Sequence, residues 1–437
     1  MMDAVAAGAP RAGAAKMPPM RFIGAVFLLS ATEIGAGMLA LPIVAHSMGM
    51  ALAAVAMIGL WALMTYTGLM MLEVCLAFPP GAEFGQIGRT LFGPRGGKAV
   101  TIVALAMMYT FSASFISGAG STYQLDISTY LGWNLPSWAP SVGYTLVIAA
   151  VVLSGGQRTA AANRAFFLVN LALLAALLVS VAPSVHLGNM YRTGPELSWM
   201  WSALPVFMTA YAFHTSVPTM LRYAGTTSPR SLRRVFIVAN SIALVIYLMW
   251  IFVALGALPQ KGAHSFAVVD ASGQSVGVFL KQIEAVGHSA AAPVLFNAFS
   301  STILVTTYLA TALALTDMLR ATWRNLRAGR LRPRLPAAIK HAGLGVLTFV
   351  PPLVVAVALR GAFVQLLSFS SIFAAGLSIL FPVAALHRLR SEGARRAGLK
   401  PPSYRVFVFW GLYVLVFQCG ALIVAFQVLS MLGALKG

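Results

Sequence analysis

The sequence predicts an all-α polytopic membrane protein. Of its 437 residues only 9% are charged and 59% are hydrophobic, and the mean hydropathy is +0.84. Because soluble domains carry about 25% charged residues, this chain has too little polar surface to dissolve in water. Apolar runs of about 20 residues, the length that crosses a bilayer as a helix, recur along the whole chain.

Eleven such runs are predicted to be transmembrane helices. They occupy residues 21–46, 49–78, 97–122, 141–155, 164–183, 198–222, 233–258, 291–319, 341–359, 362–387 and 406–433. Residues 1–20, rich in Ala, Gly and Pro, are expected to form a disordered tail, and residues 21–433 a single transmembrane domain. The first run lacks a convincing signal-peptide cleavage site, so we interpret it as a span. Residues 275–287 are expected to form an amphipathic surface helix.

The basic residues predict the orientation of the chain. If the N-terminus lies in the cytoplasm, the loops on that side hold all but five of the 30 Lys and Arg residues. The five exceptions are Arg192, Lys261, Lys281, Arg360 and Lys436. Since short cytoplasmic loops carry an excess of Lys and Arg, the N-terminus is predicted to be cytoplasmic. An odd number of spans then places the C-terminus in the periplasm.

The net charge of +20 comes from basic residues that are expected to contact membrane lipid and not to bind nucleic acid. The most basic loop, RATWRNLRAGRLRPRLP (320–336), has almost no aromatic side chains on which bases would stack. Such a loop is expected to meet anionic lipid headgroups. The two cysteines, Cys75 and Cys419, fall within apolar runs and are expected to be free thiols.

Two of the predicted spans carry helix-breaking residues. Span 1 contains EIGAGMLALP (33–42), with a carboxylate, two glycines and a proline, and span 6 contains HTSVP (214–218). Spans 1 and 6 are five apart, so two five-span halves, about 21–183 and 198–387, would be inverted relative to each other, with 406–433 as an extra helix. Interrupted spans at matching positions indicate a transporter site near the membrane midplane. The alternative is that these Gly and Pro residues serve only helix packing or kinks.

Six segments in order resemble one known family. They are TEIGAGMLALP (32–42), GLWALMTYTGLMMLEV (59–74), ISGAG (116–120), LPVFMTAYAFHTSVPTMLRY (204–223), RRVFIVANSIALVIYLMW (233–250) and LTFVPPLVVA (347–356). Together they resemble the bacterial tyrosine/tryptophan permeases of the hydroxy/aromatic amino acid permease family. The resemblance implies eleven helices, a fold of the leucine-transporter type with five-helix inverted repeats, and proton-driven import of an aromatic amino acid across the bacterial inner membrane. Glu33 stands where these permeases often carry Thr, and Ser121 where they often carry an acid.

Glu33 is the candidate proton-coupling residue. A charged carboxylate at the centre of a membrane helix costs about 3 kcal/mol, so such residues usually serve function. The alternative is a structural carboxyl that accepts hydrogen bonds from backbone N–H groups freed by the break. His214, in the second interrupted span, is expected to bind a substrate hydroxyl or relay a proton, or else to be a packing residue.

The remaining site candidates flank these two positions. Expected substrate contacts are Gly35, Ala36, Gly37, Tyr211, Phe213 and His214, with Tyr109, Phe111, Ser114 and Ser117 of span 3 as a pocket wall. Small residues let a ligand approach the backbone, and aromatic rings stack on an aromatic substrate. Ordinary helix packing is the alternative for span 3. Glu73 and Asp317 are interpreted as structural anchors or gate ion pairs, Asp317 with Arg320 three residues on.

These observations favour a secondary transporter and exclude most enzymes. No metal motif or nucleophile elbow is present, and GRTLFGPRGGK (88–98), a predicted loop, lacks the phosphate-binding spacing. No cofactor is expected; the coupling ion is predicted to be a proton. Sodium, held by hydroxyls of FSSTILVTT (299–307) such as Ser300 and Ser301, stays an alternative, as does a membrane sensor that binds an amino acid without transport. The predicted partners are an aromatic amino acid and membrane lipid. The sequence does not specify which of tyrosine, tryptophan and phenylalanine is preferred.

Overall fold

The computed structural model describes most of the chain. The described residues are 16–154, 156–191, 198–225, 228–287, 291–327, 337–391, 402, 404–407 and 410–431. Most of the predicted tail therefore lies outside the described residues, as does most of the basic loop at 320–336. Throughout the described part of the chain, every regular element is helical.

Sixteen α-helices are described. They are α1 (Pro19–Glu33), α2 (Ala40–Ala45), α3 (Gly49–Leu76), α4 (Phe84–Leu131), α5 (Ala139–Ser154), α6 (Gly156–Val181), α7 (Ser198–Ala210), α8 (Val217–Ala224), α9 (Pro229–Ala257), α10 (Phe266–Ala271), α11 (Val276–Val286), α12 (Ala292–Arg327), α13 (Ala337–Ala358), α14 (Phe363–Ala375), α15 (Phe381–Arg390) and α16 (Trp410–Met431). Short 3-10 turns at Ala36–Leu39, Ala182–Ser184, Leu187–Met190 and His214–Ser216 and a π-helical turn at Gly376–Leu380 complete the set.

A helix or a helix pair lies at each predicted span. Within the described part of the chain, seven helical segments are long and apolar enough to cross a membrane. The bent pair formed by α1 and residues 36–45 is an eighth candidate. The other three predicted spans coincide with shorter stretches: α5, the pair α7 and α8, and α16. The structure is therefore that of a helical multi-pass membrane protein, while the count of eleven spans and the inverted repeat stay predictions.

The prediction of a loop at residues 88–98 is wrong. Residues 84–131 are helical except for a kink at Gly93, whose φ of 76° lies in the left-handed region that glycine adopts without strain. Pro94 follows immediately and begins the second part of α4. Proline fits the first turn of a helix because its missing N–H is not needed there, which explains why the chain continues as helix after the kink.

The first span breaks directly after Glu33. Helix α1 ends at Glu33, Gly35 is extended (φ −135°, ψ −169°), and the chain resumes at Ala36 after a bend of 51°. A Cβ on Gly35 would lie 2.9 Å from the hydroxyl oxygen of Thr307 in α12, so no side chain fits there without movement of Thr307. Residues 34–35 are called the first break below.

The sixth span breaks after Ala210. Helix α7 ends there, residues 211–213 leave the helical path, and the chain resumes through the 3-10 turn at His214–Ser216 into α8. Pro218 is the second residue of α8, where proline is tolerated. Residues 211–213 are called the second break. Both interruptions predicted from Gly and Pro patterns are thus present.

The two interrupted spans pack against each other, since residues 36–45 contact α7. Helices α1 and α3 pack on α9, α12 packs on α4 and α6, and α14 packs on α4 and α7.

The predicted surface helix at 275–287 is α11, which packs against α4 with one face buried. There the Gly277 backbone approaches Ser121 so closely that an added Cβ would lie 2.6 Å from the Ser121 carbonyl oxygen.

Candidate functional site

One hydroxyl joins the two breaks. The Tyr247 hydroxyl oxygen, on α9, lies 2.7 Å from the carbonyl oxygen of Glu33 and 2.9 Å from that of Ala210. These carbonyls end α1 and α7, so the C-terminal ends of both half-helices meet at this point. A phenol has one proton, so it donates to one carbonyl at a time. Helix C-termini carry negative partial charge, which makes the meeting point rich in acceptors.

The Glu33 side chain lies at this meeting point without a partner. The residue is 4% exposed, and neither carboxyl oxygen has a hydrogen-bond partner among the described residues. Its charge interacts with the phenol groups of Tyr211 and Tyr247. The predicted alternative, a carboxyl satisfied by backbone N–H groups of its own break, is absent from the described contacts. A buried carboxylate needs a compensating partner, so this group calls for a proton or a cation.

Tyr211 and His214 bring two more unpartnered polar atoms to the second break. The Tyr211 ring packs edge-on against Tyr247 at 5.4 Å between centroids, and its buried hydroxyl lacks a described partner. His214 Nε2 lies 3.0 Å from Thr67 Oγ1, which itself donates to the Met64 carbonyl oxygen at 3.2 Å. With the Thr67 proton so used, Nε2–H is the donor and Nδ1 keeps a free lone pair in the described structure.

Helix α12 contributes a hydroxyl to the first break. The Ala36 N–H donates to Thr307 Oγ1 at 2.8 Å, and Thr307 donates in turn to the Ile303 carbonyl oxygen at 2.7 Å. The segment 299–307 therefore does face the first break, through Thr307. Ser300 instead donates within its own helix to the Asn297 carbonyl oxygen at 3.3 Å. Ser301 hydrogen-bonds to Tyr123 of α4.

The span 3 candidates contact neighbouring helices. The Tyr109 hydroxyl donates to the Leu347 carbonyl oxygen at 2.7 Å, Ser114 donates to that of Phe363 at 2.8 Å, and Ser117 donates to that of Leu359 at 3.4 Å. Phe111 stacks on Phe115 of its own helix, with centroids 6.0 Å apart. These contacts are those of helix packing, the alternative weighed for this span.

The remaining glycine and aromatic candidates differ in their surroundings. Among the described residues, a Cβ on Gly37 would meet only Leu367, at 4.0 Å, so the backbone there is open to a ligand on one side. The Phe213 ring, by contrast, fills the space over Gly68 of α3, where an added Cβ would lie 2.5 Å from it, and packs edge-on against Phe236 of α9. Phe213 also stacks on the His214 ring, with centroids 4.5 Å apart, so it contacts both the neighbouring helices and a candidate site residue.

The two predicted anchors are ion pairs of different kinds. Glu73, 1% exposed in α3, accepts from Arg390 of α15 at 2.9 and 2.7 Å and from the Val406 N–H at 2.6 Å. Asp317 and Arg320 form the predicted helix pair at 3.5 Å, with the Asp317 side chain 73% exposed. The first pair joins two helices and the segment before α16, while the second lies on the surface.

A third charged cluster fixes α11 to the bundle. Lys281 Nζ lies 3.0 Å from both Asp126 Oδ1 of α4 and Glu284 Oε2 of its own helix. Partial burial lowers the pKa of Lys281, but the hydrogen bonds to Asp126 and Glu284 outweigh that effect and raise it above its usual range. Tyr130 donates to Glu284 at 3.0 Å and accepts from Asn297 of α12 at 2.8 Å.

Sequence reasoning missed Tyr247, Thr67 and the role of Thr307. Tyr247 lies inside a quoted segment of span 7, but nothing local distinguishes it from other aromatic residues of membrane helices. Thr67 and Thr307 are each one of several hydroxyl residues in their spans, and membrane helices use such hydroxyls freely for packing. Only the breaks signalled a site, and the groups that complete it come from helices that pack against them.

The fold and these breaks define a helical multi-pass membrane protein with two interrupted helices that meet in its core. The chain belongs to the tryptophan/tyrosine permease family, whose model matches residues 19–427. It is a family of permeases and not of enzymes, and the predicted resemblance is confirmed.

Individual relatives carry related names. The chain is 29% identical to the tyrosine-specific transport system 1 of Haemophilus influenzae, over 92% of this chain and 95% of that protein. It is 26% identical to the tryptophan-specific transport protein of Pseudomonas aeruginosa, over 89% and 92% of the two chains. It is also 23% identical to the glutamine transporter 2 of Aliivibrio fischeri, over 85% and 90%. The relatives thus include proteins for both aromatic and non-aromatic amino acids.

Proposed function

We propose that this protein is a secondary transporter that imports an aromatic amino acid, tyrosine or tryptophan, across the bacterial inner membrane together with a proton. The observation that carries the proposal is the buried, unpartnered carboxyl of Glu33 where the two broken helices meet. Membership of the permease family and the names of its relatives support the substrate class.

In this proposal the two breaks form the substrate site. The open backbone at Gly37, beside Gly35 and Ala36, receives the amino acid backbone, and Tyr211 and His214 offer a ring, a hydroxyl and a lone pair to an aromatic side chain. Phe213, Tyr109 and Ser117 support the site through the helices they contact. Glu33 takes up the proton, which removes the cost of its buried charge while the zwitterion is bound.

Transport would proceed by alternating access around this midplane site. Two inverted five-helix repeats of the leucine-transporter type, 21–183 and 198–387, would rock against each other, as broken helices at matching positions indicate. The excess of basic residues on one side supports a cytoplasmic N-terminus and a periplasmic C-terminus.

A sodium-coupled mechanism is the second candidate, favoured by one contact. Thr307 brings a hydroxyl oxygen to the first break, and oxygen atoms are the ligands that hard cations prefer. In that case Ser300 and Ser301, whose described contacts lie elsewhere, take no part.

The deciding experiment is uptake of labelled tyrosine into proteoliposomes. A proton gradient and a sodium gradient are imposed separately, with tryptophan and phenylalanine as competitors. We expect accumulation under the proton gradient alone. Accumulation that needs sodium would favour the Thr307 mechanism, and saturable binding without accumulation would favour an amino-acid sensor.

A further inference from the structure

The Glu33 carboxylate has no cationic side chain paired with it in the described structure, and this lack bears on which ligands the site accepts. Within the described residues, the titratable groups that interact electrostatically with its carboxyl are the phenols of Tyr211 from the second break and Tyr247 from α9. Helix α12 presents the neutral Thr307 at the first break, and His214 turns its Nε2 toward Thr67. No Lys or Arg among the described residues pairs with Glu33.

The hydrogen-bonding groups are unbalanced in the same direction. Two carboxyl oxygens and the carbonyl oxygens of Glu33 and Ala210 offer four acceptor atoms, while Tyr247 offers one proton to the two carbonyls and the unpartnered Tyr211 hydroxyl offers one more. A neutral carboxylic acid adds one donor, whereas an ammonium group brings three donors and a full positive charge. A primary ammonium therefore matches this acceptor surplus better than a proton does.

We infer that the same site accepts aromatic amines, which have an ammonium group and no carboxylate, and that such an amine takes the place of the Glu33 proton. This inference rests on the proposed function. An amino acid zwitterion bound beside a neutral Glu33 leaves the site with no net charge. An amine cation bound beside an ionised Glu33 leaves the same net charge, with the proton released to solvent.

The two ligand classes therefore depend on pH in opposite ways. Raising the pH removes the Glu33 proton, which weakens the binding of a zwitterion because two carboxylates then share one ammonium. The same change strengthens the binding of an amine. For one linked proton the affinity changes by at most about tenfold for each pH unit.

The experiment measures binding of labelled tyrosine and of labelled tyramine to the purified full-length protein in detergent at about pH 6 and about pH 8. We expect tyramine to displace tyrosine, with an affinity that rises about tenfold or more between the two conditions while that of tyrosine falls. As a control ligand, 3-(4-hydroxyphenyl)propionate, which keeps the carboxylate and lacks the ammonium, should not gain affinity with pH.

The variant Glu33→Gln tests the residue itself. It should lower the ratio of tyramine to tyrosine affinity by about tenfold or more and remove the opposite pH dependences. Asp317→Asn, on the exposed end of α12, is the matched control and should leave the ratio unchanged. The pH dependence of the wild-type protein tests the inference even if Glu33→Gln does not fold.

The outcomes separate the inference from the proposed function. Tyrosine binding without tyramine binding at either pH, or an unchanged affinity ratio in a folded Glu33→Gln variant, would overturn the inference alone. Tyramine binding without tyrosine binding would support the inference and overturn the proposed substrate. A folded protein that binds neither compound would overturn both.

Discussion

Glu73 and Arg390 form a two-point ion pair in which the carboxylate is buried and the guanidinium is about one quarter exposed (1% and 26% of the side chains). Arg390 also donates to the Val406 carbonyl oxygen at 2.8 Å, and Glu73 accepts the Val406 N–H. One carboxylate therefore holds α3, α15 and the segment that leads into α16.

Removing the charge of Glu73 should destabilise the protein. The variant Glu73→Gln leaves Arg390 without its carboxylate, and breaking a buried pair in this way costs about 3 kcal/mol. Thermal or denaturant unfolding in detergent measures the effect. Asp317→Asn breaks the exposed pair with Arg320 and should change stability by less than about 1 kcal/mol. Equal effects of the two variants would contradict an anchoring role for Glu73.

Neutralising Glu33 should uncouple transport from the proton gradient. The variant Glu33→Gln keeps the size of the side chain but cannot carry a proton. We expect tyrosine accumulation driven by a gradient of one pH unit, up to about tenfold for one coupled proton, to fall to the level reached without a gradient. Accumulation with an unchanged pH dependence would mean that another group carries the proton.

Removing the Tyr247 hydroxyl should weaken the junction of the two breaks. In Tyr247→Phe the carbonyl oxygens of Glu33 and Ala210 lose their shared donor, which costs about 1–3 kcal/mol for a buried group left unsatisfied. We expect lower thermal stability and slower tyrosine uptake. Tyr191→Phe is the control, since Tyr191 is 77% exposed. A variant of Tyr247 as stable and active as the control would rule out a role for the hydroxyl.

A side chain at Gly35 should block the first break. In Gly35→Ala the new methyl would lie 2.9 Å from Thr307 Oγ1, the atom that accepts the Ala36 N–H. We expect uptake to fall by at least about tenfold, because the break cannot keep its shape without moving Thr307. Gly59→Ala in α3 is the matched control, because no atom of the described part of the chain lies within 4 Å of an added Cβ there. Equal uptake by both variants would contradict this packing.

The Lys281 cluster should stabilise the protein at every pH at which Asp126 and Glu284 are ionised, up to the strongly alkaline range. Its raised pKa means that Lys281 holds its proton more tightly in the folded state than in the unfolded state. The contribution is therefore fully present below the ordinary value of 10.5 and is lost as the pH rises through the folded-state value. Lys281→Met should unfold more easily than wild type at neutral pH. A stability difference that disappears already near neutral pH would contradict this assignment.

Local sequence patterns predicted the breaks and the candidates Glu33, Tyr211 and His214 beside them, but not the partners that other helices supply. Gly35 and Pro218 favour an interruption for local reasons, because glycine weakens a helix and proline lacks the N–H that a continuing helix would use. The contact of Tyr247 with Glu33 joins residues 214 positions apart, and no periodicity encodes it. Phe213 shows the same limit: its place in the broken span predicted a ligand contact, but the sequence did not reveal that its ring also fills the space over Gly68.

The kink in α4 was missed for a related reason. Gly and Pro at 93 and 94 are usual loop residues, and the basic residues around them favour a surface position. Yet a left-handed glycine followed by a proline can also join two helices directly, because the proline begins the second one. The sequence alone does not separate these outcomes, since the choice depends on how the flanking helix segments pack against each other.

The close approach of Gly277 to Ser121 has a mechanical consequence. Two backbones in direct contact leave no side chain between them to tilt or to change rotamer, so α11 cannot slide along α4 without a clash. The ion pair of Lys281 with Asp126 joins the same two helices a turn further on. Helices α11 and α4 thus form one rigid unit, and we expect α11 to move together with α4.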